Sequence, residues 1–320
     1  MSTKRFELGN SGVNIAPLVF GGNVFGWTAD EQTSFRLLDR FVDQGFNAID
    51  TADVYSAWAP GLTGGESEQV IGKWLTQRKN RDDVVIMTKV GMHEARKGLS
   101  AANIQKAVDD SLRRLNTDYV DVYFAHADDE SVPLEETLKA FSDLIQAGKV
   151  RAIGASNYTK ERLEQAMQLS TQAGLASYSV LQPLYNLYDR EDYERTLEPL
   201  VKQYGFGTIS YFSLASGFLT GKYRNKDDLK NASRAAFLEK YFDQRGLNIL
   251  DALHQVAKDT STQPAQVALA WLASRDSITA PIASATSLSQ LDELLSAFSV
   301  ELSTENLDQL TAASDYQSAD

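Results

Sequence analysis

The sequence contains no cysteine among its 320 residues, which excludes disulfide bonds and thiolate metal ligands. No apolar run approaches the roughly 20 residues that a membrane-spanning helix requires, and the first residues lack the hydrophobic stretch of a signal peptide. Positive charge is scarce, because 31 Lys and Arg stand against 43 Asp and Glu. That balance argues against nucleic acid as a partner, since phosphate binding needs a basic surface. We therefore expect a cytoplasmic protein that binds neither membrane nor nucleic acid.

Short β-branched or apolar runs alternate with longer amphipathic segments along most of the chain. The runs predict eight strands: Leu18–Gly21, Asn47–Ile49, Val84–Thr88, Tyr119–Phe124, Val150–Gly154, Tyr178–Gln182, Gly207–Tyr211 and Ser277–Pro281. Amphipathic periodicity predicts helices between them: Thr33–Gln44, Glu66–Gln77, Asn103–Leu115, Leu134–Ala147, Lys160–Ser170 and Glu191–Gln203. This alternation is typical of parallel strands joined by right-handed crossovers, so we predict an α/β fold of the (β/α)₈, or TIM-barrel, type.

Three segments fall outside the alternation. Phe6–Ile15, with a Gly-Asn-Ser-Gly turn at its centre, predicts a β-hairpin that caps the bottom of the barrel. Gly221–Arg245 is long, polar and charged, and we expect an extended loop or lid there. The segment after Ser303 has a weak helical pattern. No repeat, low-complexity tract or linker interrupts the chain, which predicts one barrel domain over residues 1–320.

Four polar residues follow three consecutive predicted strands. Asp50 comes after the second strand, Lys89 after the third and His126 after the fourth. Tyr55 lies five residues beyond Asp50. Because the carboxyl ends of barrel strands meet at one mouth, where barrel enzymes carry their reactive groups, we expect these side chains to lie together.

Each of these residues also has a structural interpretation. An aspartate after a strand is commonly a helix cap, a lysine is commonly a surface residue, and a lone histidine is commonly structural. Their joint arrival at one end of neighbouring strands favours the functional interpretation. The chemistry that fits is proton donation by Tyr55, with the ammonium of Lys89 lowering the pKa of the phenol and Asp50 keeping that ammonium charged. His126 would hydrogen-bond a substrate carbonyl oxygen.

Other common catalytic patterns are missing. The sequence has no Gly-x-Ser-x-Gly elbow, no His/Glu spacing typical of a metal site, and no Gly-x-Gly-x-x-Gly. No metal site is predicted. A proton donor beside a carbonyl still needs an electron source, so a dinucleotide would have to bind at the late loops of the barrel, with its phosphates at a short helix N-terminus.

Several motifs together resemble the aldo-keto reductase family. They begin with Phe46–Tyr55 (FNAIDTADVY) and Gly65–Gly72 (GESEQVIG). They continue in order through these segments: Thr88–Gly91, Gly154–Tyr158, Leu181–Asn186, Tyr211–Lys222 and Pro281–Leu295. The resemblance spans nearly the whole chain and is strongest to the longer bacterial reductases and the potassium-channel β-subunit branch.

The resemblance implies a role for each matching position. Asp50, Tyr55, Lys89 and His126 fall on the catalytic tetrad. The implied cofactor-binding residues, ordered along the chain, are Gly22, Asn23, Asp50, Ser156, Asn157, Gln182, Tyr211, Ser213, Leu214, Ser216, Gly217, Lys222, Arg234, Ser284, Thr286, Gln290 and Glu293. Of these, Ser156, Asn157 and Gln182 would bind the nicotinamide carboxamide. Tyr211 would stack on its ring.

The chain departs from the family pattern near the cofactor. Phe212 and Ser213 stand where the family has Ser-Pro, Ser284 replaces a glycine, and Leu294 replaces an asparagine. Gln290 is not the basic residue that other branches place against a 2′-phosphate. We expect NADP(H) to be preferred through Lys222 and Arg234, with NAD(H) left open.

The substrate side of the mouth is predicted from loop aromatics. We expect the substrate to contact Val24, Trp27, Trp58, His93 and His126. Such a mouth suits a small-molecule aldehyde or ketone of hydrophobic or sugar character. Three functions remain open: a carbonyl reductase, a slow cofactor-binding sensor or channel-associated subunit, and a Schiff-base aldolase acting through Lys89. The sequence leaves open whether the protein is a monomer or a homo-oligomer.

Overall fold

A computed structural model of the chain describes residues 3–225, 228 and 235–317. Eight parallel strands form a closed barrel, in which each strand pairs with the next along the chain and the last pairs with the first. This confirms the predicted fold. The barrel strands are β3 (Val19–Gly21), β4 (Ala48–Asp50), β5 (Val85–Val90), β6 (Val120–Ala125), β7 (Val150–Ser156), β8 (Val180–Gln182), β9 (Gly207–Ser210) and β10 (Ala280–Ala283).

Helices surround the barrel and cover its outer face. In the described part of the chain they are α1 (Glu31–Asp43), α2 (Glu66–Arg78), α3 (Ala101–Leu115), α4 (Leu134–Gln146), α5 (Lys160–Ala173), α6 (Glu198–Tyr204), α7 (Ala235–Leu238), α8 (Gln244–Asp259), α9 (Pro264–Ala273), α10 (Leu288–Ser296) and α11 (Thr304–Ala313). Side-chain oxygens cap the N-termini of several, as Ser100 does for α3 and Thr159 for α5.

The alternation of side chains along the strands produces two apolar layers. Alternate residues such as Val85, Met87, Val122 and Phe124 point inward and pack with one another inside the barrel. Their neighbours point outward into a larger core between the barrel and the helices. This period of two follows from the pleat of a β-strand, and it also determines which side chains reach the mouth.

The predicted hairpin is present as β1 (Phe6–Glu7) and β2 (Asn14–Ile15). Its apolar residues Leu8, Val13 and Ile15 join the inner apolar layer. Gly9 approaches the start of β9 so closely that a Cβ there would lie 2.1 Å from the backbone nitrogen of Gly207. The hairpin therefore covers the amino-terminal end of the barrel, opposite the mouth formed by the carboxyl ends of the strands.

Some sequence-based boundaries differ from the structure. The segment predicted as one helix over Glu191–Gln203 is helical, but a π-helical turn, Tyr193–Leu197, lies within it before α6. Pro199 near the start of α6 lacks an N–H and its ring opposes a regular turn, which accounts for the wider turn. The prediction of a loop over Gly221–Arg245 is wrong in part, because it contains α7 and a 3-10 turn and α8 begins at Gln244.

We expect Gly72→Ala to destabilise the fold by about 1–3 kcal/mol or more, measured as the free energy of unfolding in urea. Gly72 lies where α2 crosses α3, and a Cβ there would lie 2.1 Å from the carbonyl oxygen of Arg114 and 2.7 Å from the backbone of Leu115. Backbone cannot yield as a flexible side chain can. The matched control is Gln77→Ala on the exposed side of α2, which should change stability by less than about 0.5 kcal/mol. Equal stabilities of the two variants would contradict this packing.

Candidate active site

The site residues continue the inward-facing rows of the barrel strands. On five strands, the position two residues beyond the last inner apolar residue carries a polar or aromatic side chain: Asp50, Lys89, His126, Gln182 and Tyr211. The backbone ladder continues past two strand ends, since the N–H of His126 donates to Val90 O at 2.9 Å and that of Tyr211 to Pro183 O at 2.9 Å. The period of two therefore brings five distant residues to one mouth.

Lys89 is the centre of the polar cluster at this mouth. The strand β5 extends through Lys89 to Val90, beyond the predicted end at Thr88. Lys89 is 0% exposed. Its ammonium donates to Asp50 Oδ2 at 2.6 Å, to the carbonyl oxygen of Thr51 at 2.8 Å and to the hydroxyl oxygen of Tyr55 at 3.1 Å. All three ammonium donors thus have acceptors. The carbonyl of Thr51 is a partner that sequence reasoning missed, because main-chain acceptors leave no residue-type signal.

The charges of this cluster follow from burial and pairing. Burial disfavours the ammonium of Lys89, but Asp50 and Tyr55 outweigh it and raise the pKa of Lys89. Burial raises the pKa of Tyr55, and the attraction of Lys89 offsets only part of that rise. The ammonium lowers the pKa of Tyr55 as expected, but desolvation of the phenolate is the larger effect. Tyr55 is therefore a neutral phenol with its oxygen held by Lys89.

His126 stands beside Tyr55 at the mouth. The two rings are 6.0 Å apart in an edge-to-face arrangement. Burial and the charge of Lys89 lower the pKa of His126 well below its ordinary value, which makes the imidazole neutral at physiological pH. Its Nδ1 is buried and has no hydrogen-bond partner. The ring nitrogen available for a ligand is consequently Nε2.

A hydrogen-bonded row of amides and hydroxyls lies across the mouth from Tyr55. Gln182 donates to Asp50 Oδ1 at 2.9 Å, and Ser156 donates to the carbonyl oxygen of Gln182 at 2.9 Å. Asn157 donates to Ser156 Oγ at 3.1 Å and accepts from the hydroxyl of Tyr211 at 2.9 Å. Asn157 and Tyr211 remain accessible, so the row presents amide groups beside an aromatic ring, the partners that a planar carboxamide requires.

The loop after β9 turns sharply through positive φ angles. Phe212, Ala215, Ser216 and Gly217 have φ of 52°, 48°, 57° and 98°. The hydroxyl of Ser213 is used internally, donating to Ser210 O at 3.0 Å, and Leu214 packs against the core.

Lys222 is exposed beside this turn, and a Cβ on Gly217 would lie 3.7 Å from its Nζ. A tight turn with an adjacent ammonium suits an anion such as a pyrophosphate. Arg234 lies outside the described residues.

The remaining cofactor residues predicted from sequence lie at β3, β10 and α10. Ser284 donates to Asn23 Oδ1 at 2.5 Å, which joins the loops after β3 and β10. A Cβ on Gly21 would lie 2.4 Å from Ser284 Oγ, and one on Gly22 would lie 2.9 Å from Asp50 O. Thr286 donates to Gln290 at the start of α10, where Glu293 is partly buried one turn further on.

An aromatic wall forms the substrate side of the mouth. Trp58 contacts the ring of Tyr55 at 5.4 Å and that of Trp27 at 5.7 Å, and it is 48% exposed. Val24 is buried in the outer core, so its side chain does not reach this wall. His93 is turned towards Gly64 behind the loop, where a Cβ on that glycine would lie 2.8 Å from His93 Nε2.

Glu66 shapes the loop that carries Tyr55, a role that sequence reasoning missed. Its carboxylate accepts from the backbone N–H groups of Thr63 at 2.9 Å, Gly64 at 2.9 Å and Ser56 at 3.2 Å. These bonds hold the pKa of Glu66 below its ordinary value despite the opposing effect of burial. A glutamate in the first turn of a helix is the available signal, although it predicts a helix cap rather than a loop anchor.

The part of the chain that the structure describes has neither a metal-binding cluster nor a membrane-spanning helix. Among residues 3–225, 228 and 235–317, no group of three or more His, Asp or Glu is placed to hold a metal ion. Over the same ranges, no helix has both the length and the apolar character needed to cross a membrane.

A closed parallel barrel with its polar groups collected at the carboxyl ends of the strands defines a barrel enzyme. Residues 17–315 match the aldo/keto reductase family, and the chain belongs to that family. An uncharacterized oxidoreductase, YrpG, of Bacillus subtilis is 32% identical over 95% of this chain and 93% of its own length. Aldo-keto reductase YhdN of the same organism is 35% identical over 79% of this chain and 73% of its own. A probable voltage-gated potassium channel subunit beta of Arabidopsis thaliana is 34% identical over 92% and 90%. These relatives support an oxidoreductase of a family that uses nicotinamide cofactors.

We expect Asp50→Asn to lower the free energy of unfolding at neutral pH by about 3–5 kcal/mol, because it leaves the buried ammonium of Lys89 without its counter-ion. The control is Asp292→Asn, which breaks the half-exposed pair with Arg40 and should cost less than about 1 kcal/mol. Denaturant unfolding of both variants checks the difference. If the two variants lost the same free energy of unfolding, the buried pair of Asp50 and Lys89 would contribute no more to stability than the exposed pair.

Proposed function

We propose that the protein reduces an aldehyde or ketone to an alcohol, with a hydride from a nicotinamide cofactor and a proton from Tyr55. The observation that carries the proposal is the ammonium of Lys89, buried in the barrel mouth and hydrogen-bonded to both Asp50 and Tyr55. A structural ion pair alone would not need a phenol at its accessible end. A phenol there becomes a useful acid when negative charge develops on a neighbouring oxygen.

Tyr55 is the proposed proton donor. Its oxygen accepts from Lys89, so its own O–H remains free to donate into the mouth. As charge develops on the substrate oxygen, the proton moves to that oxygen and the nearby ammonium stabilises the phenolate left behind. Asp50 keeps the ammonium charged and aimed throughout. The raised pKa of Tyr55 ensures that the phenol is protonated before each reaction.

His126 is the proposed orienting group for the substrate carbonyl. The buried Nδ1 has no acceptor beside it, so we assign the proton of the neutral ring to Nε2, from which it donates to the carbonyl oxygen. An N–H and an O–H then converge on one oxygen from two sides, which fixes the carbonyl and polarises it. The lowered pKa of His126 keeps this role independent of pH in the physiological range.

The described residues fit a nicotinamide dinucleotide. Ser156, Asn157 and Gln182 would hold the carboxamide, and Tyr211 would support the ring. The turn through Ser213, Leu214, Ser216 and Gly217 would face the pyrophosphate, with Lys222 beside it. Ser284, Thr286, Gln290 and Glu293 would hold the adenosine end. Gly22 and Asn23 would contact the cofactor from the loop after β3, between Asp50 and Ser284. When bound, the cofactor supplies the hydride.

The substrate is proposed to be a small carbonyl compound with an apolar or sugar-like body. Trp27 and Trp58 offer flat surfaces beside Tyr55, and such faces stack on either kind of group. Among the described residues, Met92 adds an exposed apolar side chain on the loop after β5.

A second candidate is a cofactor-binding subunit with slow turnover, which the similarity to potassium channel subunit beta proteins favours. Single-turnover and steady-state rates separate the two. A steady-state rate far below the rate of the chemical step, with cofactor retained through gel filtration, favours the subunit. The third possibility, a Schiff-base aldolase, is opposed by the raised pKa of Lys89, since a nucleophilic lysine must first lose its proton.

We expect Tyr55→Phe to lower kcat by about 10²–10⁴-fold while the Kd of the cofactor stays the same, because only the transferred proton is lost. Carbonyl-dependent oxidation of NADPH measures the rate, and quenching of tryptophan fluorescence measures binding. Tyr204→Phe on α6, at the far end of the barrel near Asn10, is the control and should keep full activity. If Tyr55→Phe kept its turnover, Tyr55 would not be the proton donor.

We expect Lys222→Ala to weaken NADPH binding by about tenfold and NADH binding much less, because the ammonium beside the pyrophosphate turn is proposed to reach also the 2′-phosphate that only NADPH carries, and this charge-assisted contact is lost. Fluorescence titration with each cofactor gives the two Kd values. Lys258→Ala, which removes an exposed lysine from the last turn of α8, should change neither. If Lys222→Ala weakened both cofactors equally, Lys222 would serve the shared pyrophosphate and would not determine the preference.

A further inference from the structure

Asp53 is a buried carboxyl group that the proposed mechanism does not use. It lies two residues before Tyr55, its side chain is 0% exposed, and neither of its oxygens has a hydrogen-bond partner. Its backbone N–H donates to the carbonyl oxygen of Lys89 at 3.2 Å. The carbonyl of Asp53 is covered by Gly64, where a Cβ would lie 2.9 Å from it. Asp53 thus connects the Tyr55 loop to the strand that carries Lys89.

The groups around Asp53 leave it without a counter-ion. From α2 it faces Glu68, whose carboxylate is paired with Arg114 of α3 at 2.6 Å. From the loop after β5 it faces Arg96, which is already paired with Asp110.

Two further groups complete the surroundings. Tyr123 of β6 presents a buried hydroxyl that also lacks a partner. His93 lies on the same side of Gly64 as the carbonyl of Asp53, since one Cβ there would be 2.8 Å from His93 Nε2 and 2.9 Å from that oxygen. Arg114 is directed to Glu68 and Arg96 to Asp110, so neither of these two cations is hydrogen-bonded to Asp53.

An anion at Asp53 would be costly, because a buried charge is tolerated only when it is paired or hydrogen-bonded. Burial, the first cause, and repulsion by Glu68 together raise the pKa of Asp53 to about 7, against smaller opposing effects of Arg114, Arg96 and the Val54 amide. The carboxyl is consequently neutral in weakly acidic solution and ionises close to physiological pH.

We propose that Asp53 is a positioning residue for Tyr55, and that its carboxyl must be uncharged for the Tyr55 loop to keep its active position. This inference rests on the proposed function for its effect on rate. Once ionised, Asp53 must draw Arg96 or Arg114 from its present partner or admit water. Either change moves the chain between the Lys89 carbonyl and Tyr55. The contact from Lys89 to the hydroxyl of Tyr55, now 3.1 Å, then lengthens.

The test is the dependence of kcat on pH at saturating cofactor and carbonyl substrate, between about pH 5 and pH 9. We expect kcat of the unaltered protein to fall through a single ionisation close to neutral pH, by up to about tenfold per pH unit beyond it. Asp53→Asn, a neutral side chain of nearly the same shape, should keep the low-pH kcat throughout this range. Asp83→Asn, the same change at an exposed site, should retain the transition.

Two measurements on the protein alone make the result independent of turnover. The infrared band of a protonated carboxylic acid should titrate near neutral pH and be missing from Asp53→Asn. Tryptophan fluorescence should change over the same pH range, because Trp58 contacts the ring of Tyr55 at 5.4 Å, and the change should be absent from the variant. If no carbonyl compound were reduced, the proposed function would fail, and these two titrations would still decide whether Asp53 controls the loop.

Stability should follow the same ionisation. Because folding raises the pKa of Asp53 from 3.8 to about 7, the group favours the folded state at low pH and loses this contribution as pH rises through that interval. The Tm of Asp53→Asn relative to the unaltered protein should therefore increase over this range. An unchanged pH profile in Asp53→Asn, or the absence of a titrating carboxylic acid band in the unaltered protein, would overturn the proposal.

Discussion

A charged ammonium inside a closed barrel is the constraint on which the rest of the site depends. Lys89 is fully buried, so its charge is tolerated only because Asp50, the carbonyl of Thr51 and Tyr55 surround it. Those partners come from a neighbouring strand and the loop that follows it. The register of β4 against β5, which pairs Asp50 with Met87, is therefore fixed by charge as well as by apolar packing.

The same ammonium connects the proposed proton donor to the proposed cofactor site. From Asp50 the hydrogen bonds run to Gln182, then from its carbonyl to Ser156, on to Asn157 and finally to the hydroxyl of Tyr211. The groups proposed for proton transfer and those proposed to hold the nicotinamide thus belong to one network. A fixed relation between donor and cofactor is what a reaction with both hydride and proton transfer requires.

The alternation of the chain was sufficient to predict the eight strands and the polar side chains that meet at the barrel mouth. The two-residue period of side-chain direction that gives the inner apolar layer also accounts for Asp50, Lys89 and His126. Each lies two residues beyond the last inward-facing apolar residue of its strand. Boundaries were less predictable. A lysine ordinarily indicates the surface and the end of a buried strand. The strand β5 nevertheless runs past Thr88, because the charge of Lys89 is paired with Asp50 inside the barrel.

Other features depend on contacts that a local pattern does not contain. The wide turn before α6 depends on Pro199. The polar and charged composition of Gly221–Arg245 predicts a loop and gives no indication of the short helix α7 or of the start of α8. The unpaired carboxyl of Asp53 is not predictable from the sequence, since it results from how Glu68 and Arg96 are paired in space. A pattern gives the direction of a side chain, whereas its protonation depends on every neighbour.

The hairpin that closes the lower end of the barrel also has a consequence for the order of folding on the ribosome. Gly9 bridges to Phe206, which is synthesised nearly two hundred residues later. At a synthesis rate of about 5–20 residues per second, the segment around Phe206 is made roughly 10–40 s after the hairpin. Its apolar residues, including Leu8 and Ile15, are without their final partners during that interval. The hairpin is therefore synthesised well before the segment against which it packs.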